Sequence, residues 1–296
     1  MAFRFPGRLS PLPIGFIALA MASAVAHPQS TPPPDAEPLG MRDQPCRSSA
    51  FGRTRDELAF AQTAVADGPL DQAVVSAWVK AAPERQLQDE WRQKNDWADL
   101  CRYRLENDAA REHGAARIVF IGDSITELWK VADPEMFKNG VVNRGISGQT
   151  SGQLLLRFQQ DVVALHPQAV HILVGVNDVA GNNGPERPED LKNNIRAMVD
   201  IAKFHHIKVL LGTITPVGAF PLRPAIRPRV QIASLNAWLK GFAATEGESV
   251  IDYYAVLAGP DGAMKPGMSR DGVHPLIKGY AAMKPLAETA MANTNR

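Results

Sequence analysis

The chain has 296 residues, of which 45% are hydrophobic and 21% charged, and its formal net charge is +1. These proportions suit a globular protein with a sizeable core. So small a net charge excludes the long-range attraction that draws basic domains to nucleic acid or to anionic membranes.

Arg4 and Arg8 form a positive start, Ile14 to Ala26 is an apolar run, and Ala24-Val25-Ala26 offers a small-x-small cleavage site. This pattern predicts an export signal over residues 1–26. The run is shorter than the roughly 20 residues that span a bilayer, so stable membrane insertion is not expected. Residues 27–46 turn to Pro, Ser, Asp and Gly, including Thr31-Pro32-Pro33-Pro34, and read as a disordered linker. Export would take the protein to the periplasm or outside the cell, where the only two cysteines, Cys46 and Cys101, can pair. Two separate buried thiols are the other reading, and the sequence leaves both open. Two cysteines without paired histidines do not make a zinc site, and neither a phosphate loop nor another cofactor motif is visible.

Residues 47–115 read as a helical N-terminal extension. Leu58, Phe60, Ala61, Val65, Val74, Trp78 and Val79 give partial helical periodicity, and the polar stretch from Gln86 to Arg111 carries Trp91, Trp97, Leu100 and Tyr103. It is too thin in apolar residues to fold alone, and is expected to pack as a cap on the rest of the chain. From residue 116 to 296, short apolar strands alternate with longer helical runs. The strands are predicted at Ile118 to Gly122, Val141 to Gly145, Ala169 to Val176, Lys208 to Thr215 and Ser249 to Val256. Helices are predicted around Leu154 to Leu165, Leu191 to Ile201, Arg229 to Ala244 and Lys278 to Ala292. Strand-helix alternation with apolar strands predicts a parallel sheet covered on both faces. In the common order 2-1-3-4-5, the turns after the first three strands converge at one edge, where such sheets bind ligands. Those turns carry Gly122-Asp123-Ser124, Asn143-Arg144-Gly145 and Gly175-Val176-Asn177-Asp178.

A serine hydroxyl is a poor nucleophile at neutral pH, and needs an imidazole to take its proton and a carboxylate to orient that imidazole. Ser124, His274 and Asp271 supply these parts. Asp271 lies three residues before His274, close enough for one turn of chain to bring the two together. Four blocks, Gly122-Asp-Ser-Ile-Thr126, Asn143-Arg-Gly-Ile-Ser-Gly-Gln149, Gly175-Val-Asn-Asp178 and Asp271-Gly-Val-His274, occur in order. In these the sequence resembles the SGNH hydrolases, also called the GDSL esterases and lipases, over roughly residues 117 to 290. Ile125 replaces the usual leucine after the serine. The resemblance implies a flavodoxin-like three-layer α/β sandwich and a serine esterase with Ser124, Asp271 and His274 as its triad. It also implies an oxyanion hole formed by the Ser124 and Gly145 backbone N–H groups and the Asn177 side chain. Thr126 stands where a Gly-x-Ser-x-Gly elbow would have its second glycine, so the chain is not an α/β-hydrolase of that type.

Of the remaining polar residues, Asp123 and Asp178 are expected to hold loops, His171 to pack in the core, and His205 and His206 to cap a helix end. Trp129 is a candidate wall of the substrate site or, alternatively, a core residue under the first helix. Arg223, Arg227 and Arg229 follow the fourth strand and are candidate contacts to an acidic group on the substrate, against the plainer reading of a solvated basic loop. The Gly145 to Thr150 run is most similar to the platelet-activating-factor acetylhydrolase-like branch, which implies short acyl groups. The expected activity is hydrolysis of short-chain, acetyl-type O-esters, of carbohydrates above all, on a small-molecule or glycan substrate without a cofactor. The alternatives are a lysophospholipase or thioesterase with a longer acyl groove, and a non-catalytic carbohydrate-binding protein of the same fold.

Overall fold

The computed structural model describes residues 45–46, 53–112, 114, 116–220 and 223–294. The expected export signal, and the linker up to residue 44, lie outside them.

Helices α1 (Arg55–Val65), α2 (Gln72–Lys80), α3 (Ala82–Asn95) and α4 (Arg104–Glu112) precede the sheet. Thr54 and Glu57 start α1 by a reciprocal capping box. Asp71 caps α2, its side chain accepting from the Ala73 and Val74 N–H groups. Neither α2 nor α3 has a fully buried residue, in keeping with a segment that leans on its neighbours. A disulfide joins Cys46 to Cys101, across a sequence separation of 55, and settles the choice that the sequence left open.

The sheet has five parallel strands in the order β2-β1-β3-β4-β5: β1 (Ile118–Gly122), β2 (Val141–Gly145), β3 (Ala169–Leu173), β4 (Lys208–Gly212) and β5 (Ser249–Ile251). Every residue of β1 and β3 is buried, as the continuous apolar runs require of strands covered on both faces. The connecting helices are α5 (Ser124–Ala132), α6 (Ser151–Asp161), α7 (Val176–Ala180), α8 (Pro188–Phe204) and α9 (Pro228–Glu246), and α10 (Tyr253–Leu257) and α11 (Ile277–Asn293) close the chain. The fold is the three-layer α/β sandwich expected.

Three strands end earlier than their apolar runs suggest. β3 stops at Leu173, because Gly175, at φ 133°, turns the chain into α7. β4 stops at Gly212, and Ile214 beyond it is held by Asn236 of α9, which exchanges hydrogen bonds of 2.8 Å with its N–H and C=O. β5 stops at Ile251, where the Asp252 side chain accepts from the Ala255 N–H and starts α10. Register then positions the site: Gly122 pairs with Gly145 on one side and Leu173 on the other. The turns after β1, β2 and β3 therefore leave the sheet level with one another.

Candidate active site

Ser124 opens α5 at that edge. Asp123 is its N-cap, with Oδ1 accepting the Ile125 N–H at 2.9 Å. Among the described residues the Ser124 N–H has no acceptor. In the turn leading to α11, Oδ1 of Asp271 accepts the N–H groups of Val273 at 2.9 Å and His274 at 2.8 Å, and the Ser269 hydroxyl at 3.1 Å. Oδ2 lies 2.6 Å from His274 Nδ1, and His274 Nε2 lies 2.9 Å from Ser124 Oγ. A carboxylate accepts the Nδ1 proton, so Nε2 is left as the acceptor that faces the serine.

These contacts set the charges. Burial pushes the His274 imidazole down, but the hydrogen bond and charge of Asp271, with the charge of Asp123 behind it, leave its pKa above the usual value. Burial favours the neutral acid at Asp271, yet the imidazole and the backbone donors hold that carboxyl well below the ordinary range. Asp123 goes the other way: burial raises it to about 7 against the Ile125 N–H and the attraction of His274.

The three expected oxyanion donors stand in different surroundings. The N–H of Gly145 donates to Asn143 Oδ1 at 2.9 Å, and its carbonyl accepts from the Tyr103 hydroxyl. A Cβ on Gly145 would stand 2.2 Å from the Glu127 backbone nitrogen. This glycine is therefore needed where β2 passes under α5, and its N–H is already engaged; it does not line the cavity beside Ser124. Gly148 does line it, with φ at +83° and no acceptor for its N–H among the described residues. Of the two glycines, Gly148 is therefore the one that brings an uncommitted N–H to the cavity. Strand position alone does not separate the two glycines, because the Gly145 N–H is claimed by the Asn143 side chain and not by a partner strand. Asn177 also lines the cavity; its Nδ2 donates to Gln149 O at 3.0 Å and, more weakly, to Asp123 Oδ2 at 3.4 Å. Asn182 donates to Asn177 Oδ1 and so fixes which way the amide points.

The candidate substrate contacts lie elsewhere. Trp129 is fully buried, edge-on to Phe120 and Tyr253 with centroids 6.0 and 5.7 Å away, and does not line the cavity. It is core because the apolar face of α5 lies on the sheet. Arg223 donates to Ala180 O and to Asn182 Oδ1, Arg227 is exposed at the start of α9, and Arg229 pairs with Asp261 at 3.3 Å. None of the three lines the cavity. His171 is buried, stacked on Phe120 and 2.9 Å from the Tyr253 hydroxyl, and burial lowers its pKa to about 3. Asp178 accepts from the N–H and hydroxyl of Ser151 and secures the start of α6, while His205 is the C-cap of α8.

The cavity itself measures about 930 Å³. One wall is the edge carrying Ser124, Ile146, Gly148, Asn177 and His274; the other comes from α1 to α3, with Phe60, Ala61, Ala64, Val65, Trp78, Arg85 and Arg92. Sequence reasoning missed this second wall. Phe60 and Trp78 stack at 4.3 Å, and the Arg85 guanidinium lies 3.4 Å from the centroid of the Trp78 ring. Among the described residues, no group of three or more His, Cys, Asp or Glu could hold a metal ion. No helix among them is long and apolar enough to cross a membrane.

A Ser-His-Asp relay at the carboxyl edge of a parallel sheet defines a hydrolase-like site on a flavodoxin-like fold. Residues 120–282 match the GDSL-like Lipase/Acylhydrolase family, and the chain belongs to that family of ester hydrolases. A solved structure of a candidate acylhydrolase from Bacteroides fragilis is 43% identical, with a TM-score of 0.64, over 68% of this chain and 99% of that one. An acetylxylan esterase from Geobacillus stearothermophilus is 34% identical over 88 residues, a match covering 21% of this chain and 40% of the esterase. An uncharacterized lipoprotein from Bacillus subtilis, YqeF, is 34% identical over 80 residues, covering 26% of this chain and 33% of that protein. The chain thus spans less than half the length of these two curated relatives.

Proposed function

We propose that the protein is an exported serine esterase acting on short-chain, acetyl-type O-esters of carbohydrates. The observation that carries the chemistry is the relay of 2.9 Å from Ser124 Oγ to His274 Nε2 and 2.6 Å from His274 Nδ1 to Asp271 Oδ2, opening into the cavity. In the reaction, Oγ adds to the ester carbonyl carbon while its proton passes to Nε2. The carbonyl oxygen becomes an oxyanion and is met by the N–H groups of Ser124 and Gly148 and by Asn177 Nδ2, whose 3.4 Å contact to Asp123 is the weaker of its two bonds. Each such donor is worth on the order of 2.7–4 kcal/mol in the transition state. Collapse expels the alcohol, which takes the proton from Nε2 and leaves the acyl group on Ser124. Water then enters by the same steps, and releases the carboxylic acid.

In this reading residues 116–296 form the hydrolase domain, and the four helices before it close one side of the cleft. Acetylated glycans are the favoured substrates because one relative is named an acetylxylan esterase. Export is supported by the Cys46–Cys101 disulfide, a bond that persists in oxidising compartments, and by the relative named a lipoprotein. The apolar wall of Phe60, Ala61, Ala64 and Val65 favours a second reading, a longer acyl chain seated against α1.

Hydrolysis of p-nitrophenyl acetate, butyrate, octanoate and palmitate by the purified protein separates these, with Ser124→Ala alongside. Acetate activity that falls with chain length and vanishes in the variant is expected. A maximum at octanoate or palmitate would favour the longer-acyl reading. Activity retained by Ser124→Ala would overturn the assigned nucleophile.

A further inference from the structure

The turn that carries Gly148 is joined to the sheet at its start, where the Ile146 N–H donates to Gly122 O at 3.0 Å, but beyond Ile146 it is held by other elements. Its neighbour Ser147 is tied to Glu127, one turn along α5 from the nucleophile: Oε2 accepts the Ser147 N–H at 2.8 Å and its hydroxyl at 2.6 Å. The other oxygen, Oε1, accepts from Arg102 Nη2 at 2.9 Å and from Arg53 Nε at 2.9 Å, and Arg53 Nη2 reaches both Glu127 Oε2 at 2.7 Å and Ser147 Oγ at 3.1 Å. Glu127 is buried, and its two arginines both come from the segment before β1. Gln149, on the far side of Gly148, is gripped by the same segment, donating to Ala98 O at 3.0 Å and to Asp99 Oδ2 at 3.2 Å. Gly148 is thus a freely turning residue, at φ +83°, between two neighbours fixed from outside the sheet.

We propose that Glu127, Arg53 and Ser147 are positioning residues of the esterase: the helical segment before β1 sets the turn that aims the Gly148 N–H at the oxyanion. The inference rests on the catalytic reading above and adds to it: the three residues line the cavity, but their bonds run to one another and to the turn. The physical reason is the conformational freedom of glycine. A backbone donor in a glycine turn is useful only if something else fixes its direction, and preorganised donors stabilise the transition state because they need not reorient during reaction. A buried carboxylate with two arginines can supply that rigidity. Burial pushes the Glu127 carboxyl up, but Arg53 and Arg102 outweigh it and hold the pKa at about 2, so the clamp is ionised at neutral pH.

The test compares Arg53→Ala, Arg53→Lys, Ser147→Ala and Glu127→Gln with Ser124→Ala on the best p-nitrophenyl ester. Each folded variant is also titrated with an alkyl boronic acid, whose serine adduct mimics the tetrahedral intermediate. Arg53→Ala and Glu127→Gln are expected to lower kcat by about tenfold to a hundredfold, the scale of a small misplacement, with KM within about twofold. Boronate affinity should fall in parallel with kcat, and Arg53→Lys should recover part of both. A merely structural role would move Tm and the active fraction, leaving kcat per titrated site unchanged. Arg53 is partly exposed at the rim, with a side chain 20% accessible, so Arg53→Ala decides the matter if Glu127→Gln fails to fold. Wild-type kcat and boronate affinity in Arg53→Ala would overturn the proposal, whereas full activity in Ser124→Ala would overturn the catalytic reading beneath it.

Discussion

His274 stands between two carboxylates of different character. Asp271 is bonded to it and strongly acidic; Asp123 is buried, unbonded to the imidazole and pushed up to about 7. Both charges raise the imidazole pKa against the effect of burial. In the proposed mechanism His274 is the general base and must be neutral, so the rate should fall as pH drops through a value above the usual 6.5 and level off on the alkaline side. Asp123→Asn keeps an N-cap acceptor for Ile125 but removes one of the two charges. It should therefore move the acid limb of kcat/KM to lower pH, which a pH-rate profile on a neutral ester would check. An unmoved limb would mean that Asp123 does not influence the imidazole. At this scale the sequence was most legible where chemistry is local. Asp271 and His274 are three residues apart and fold into one turn, whereas choosing between Gly145 and Gly148 depends on which N–H the Asn143 side chain has already claimed.

Among the elements, α6 ties the site to the interior. Arg157 and Asp161 form an ion pair of 2.8 Å with no exposure of either side chain. Arg157 also donates to Gly122 O at 2.9 Å and to Gln149 Oε1 at 2.6 Å, and Asn107 of α4 donates to Asp161 Oδ1 at 2.7 Å. The network joins β1, the Gly148 turn and the helices before the sheet. Removing one partner of a buried pair leaves the other charge uncompensated and commonly costs about 3–5 kcal/mol. Asp161→Ala is therefore expected to lower stability by about that much in urea or thermal unfolding; a loss under about 1 kcal/mol would show that the charge is solvated after all. The sequence showed α6 as an amphipathic helix but held no sign of this pair. Arg157 and Asp161 are spaced like any surface i,i+4 couple, and only the tertiary packing, with Gly122, Gln149 and Asn107 around them, makes them interior.

For the whole molecule, the disulfide fixes the chain before α1 to the start of the segment that carries Arg102 and Tyr103. Closing a loop with a sequence separation of 55 corresponds to about 4 kcal/mol in the chain-entropy treatment of the unfolded state. Reduction should accordingly lower Tm by many degrees and reduce activity together with it. Thermal unfolding and ester hydrolysis, each with and without dithiothreitol, test this. Equal Tm values would mean that packing of the four helices does not depend on the bond.

The layered architecture and the three residues of the relay were legible in the sequence itself, whereas the sheet order expected there is only the common one, and the strand pairing establishes it. Continuous apolar strands can be satisfied only by burial on both faces, and the chemistry-bearing blocks sit at strand ends or within four residues of one another. Tertiary structure alone decided the rest: that Trp129 belongs to the core, that Arg223 and Arg227 stay out of the cavity, and that Gly148 offers the free N–H. It also decided that Arg53, some seventy residues upstream, reaches Glu127. These depend on which groups meet across long separations, and neither hydrophobic periodicity nor short motifs encode such meetings.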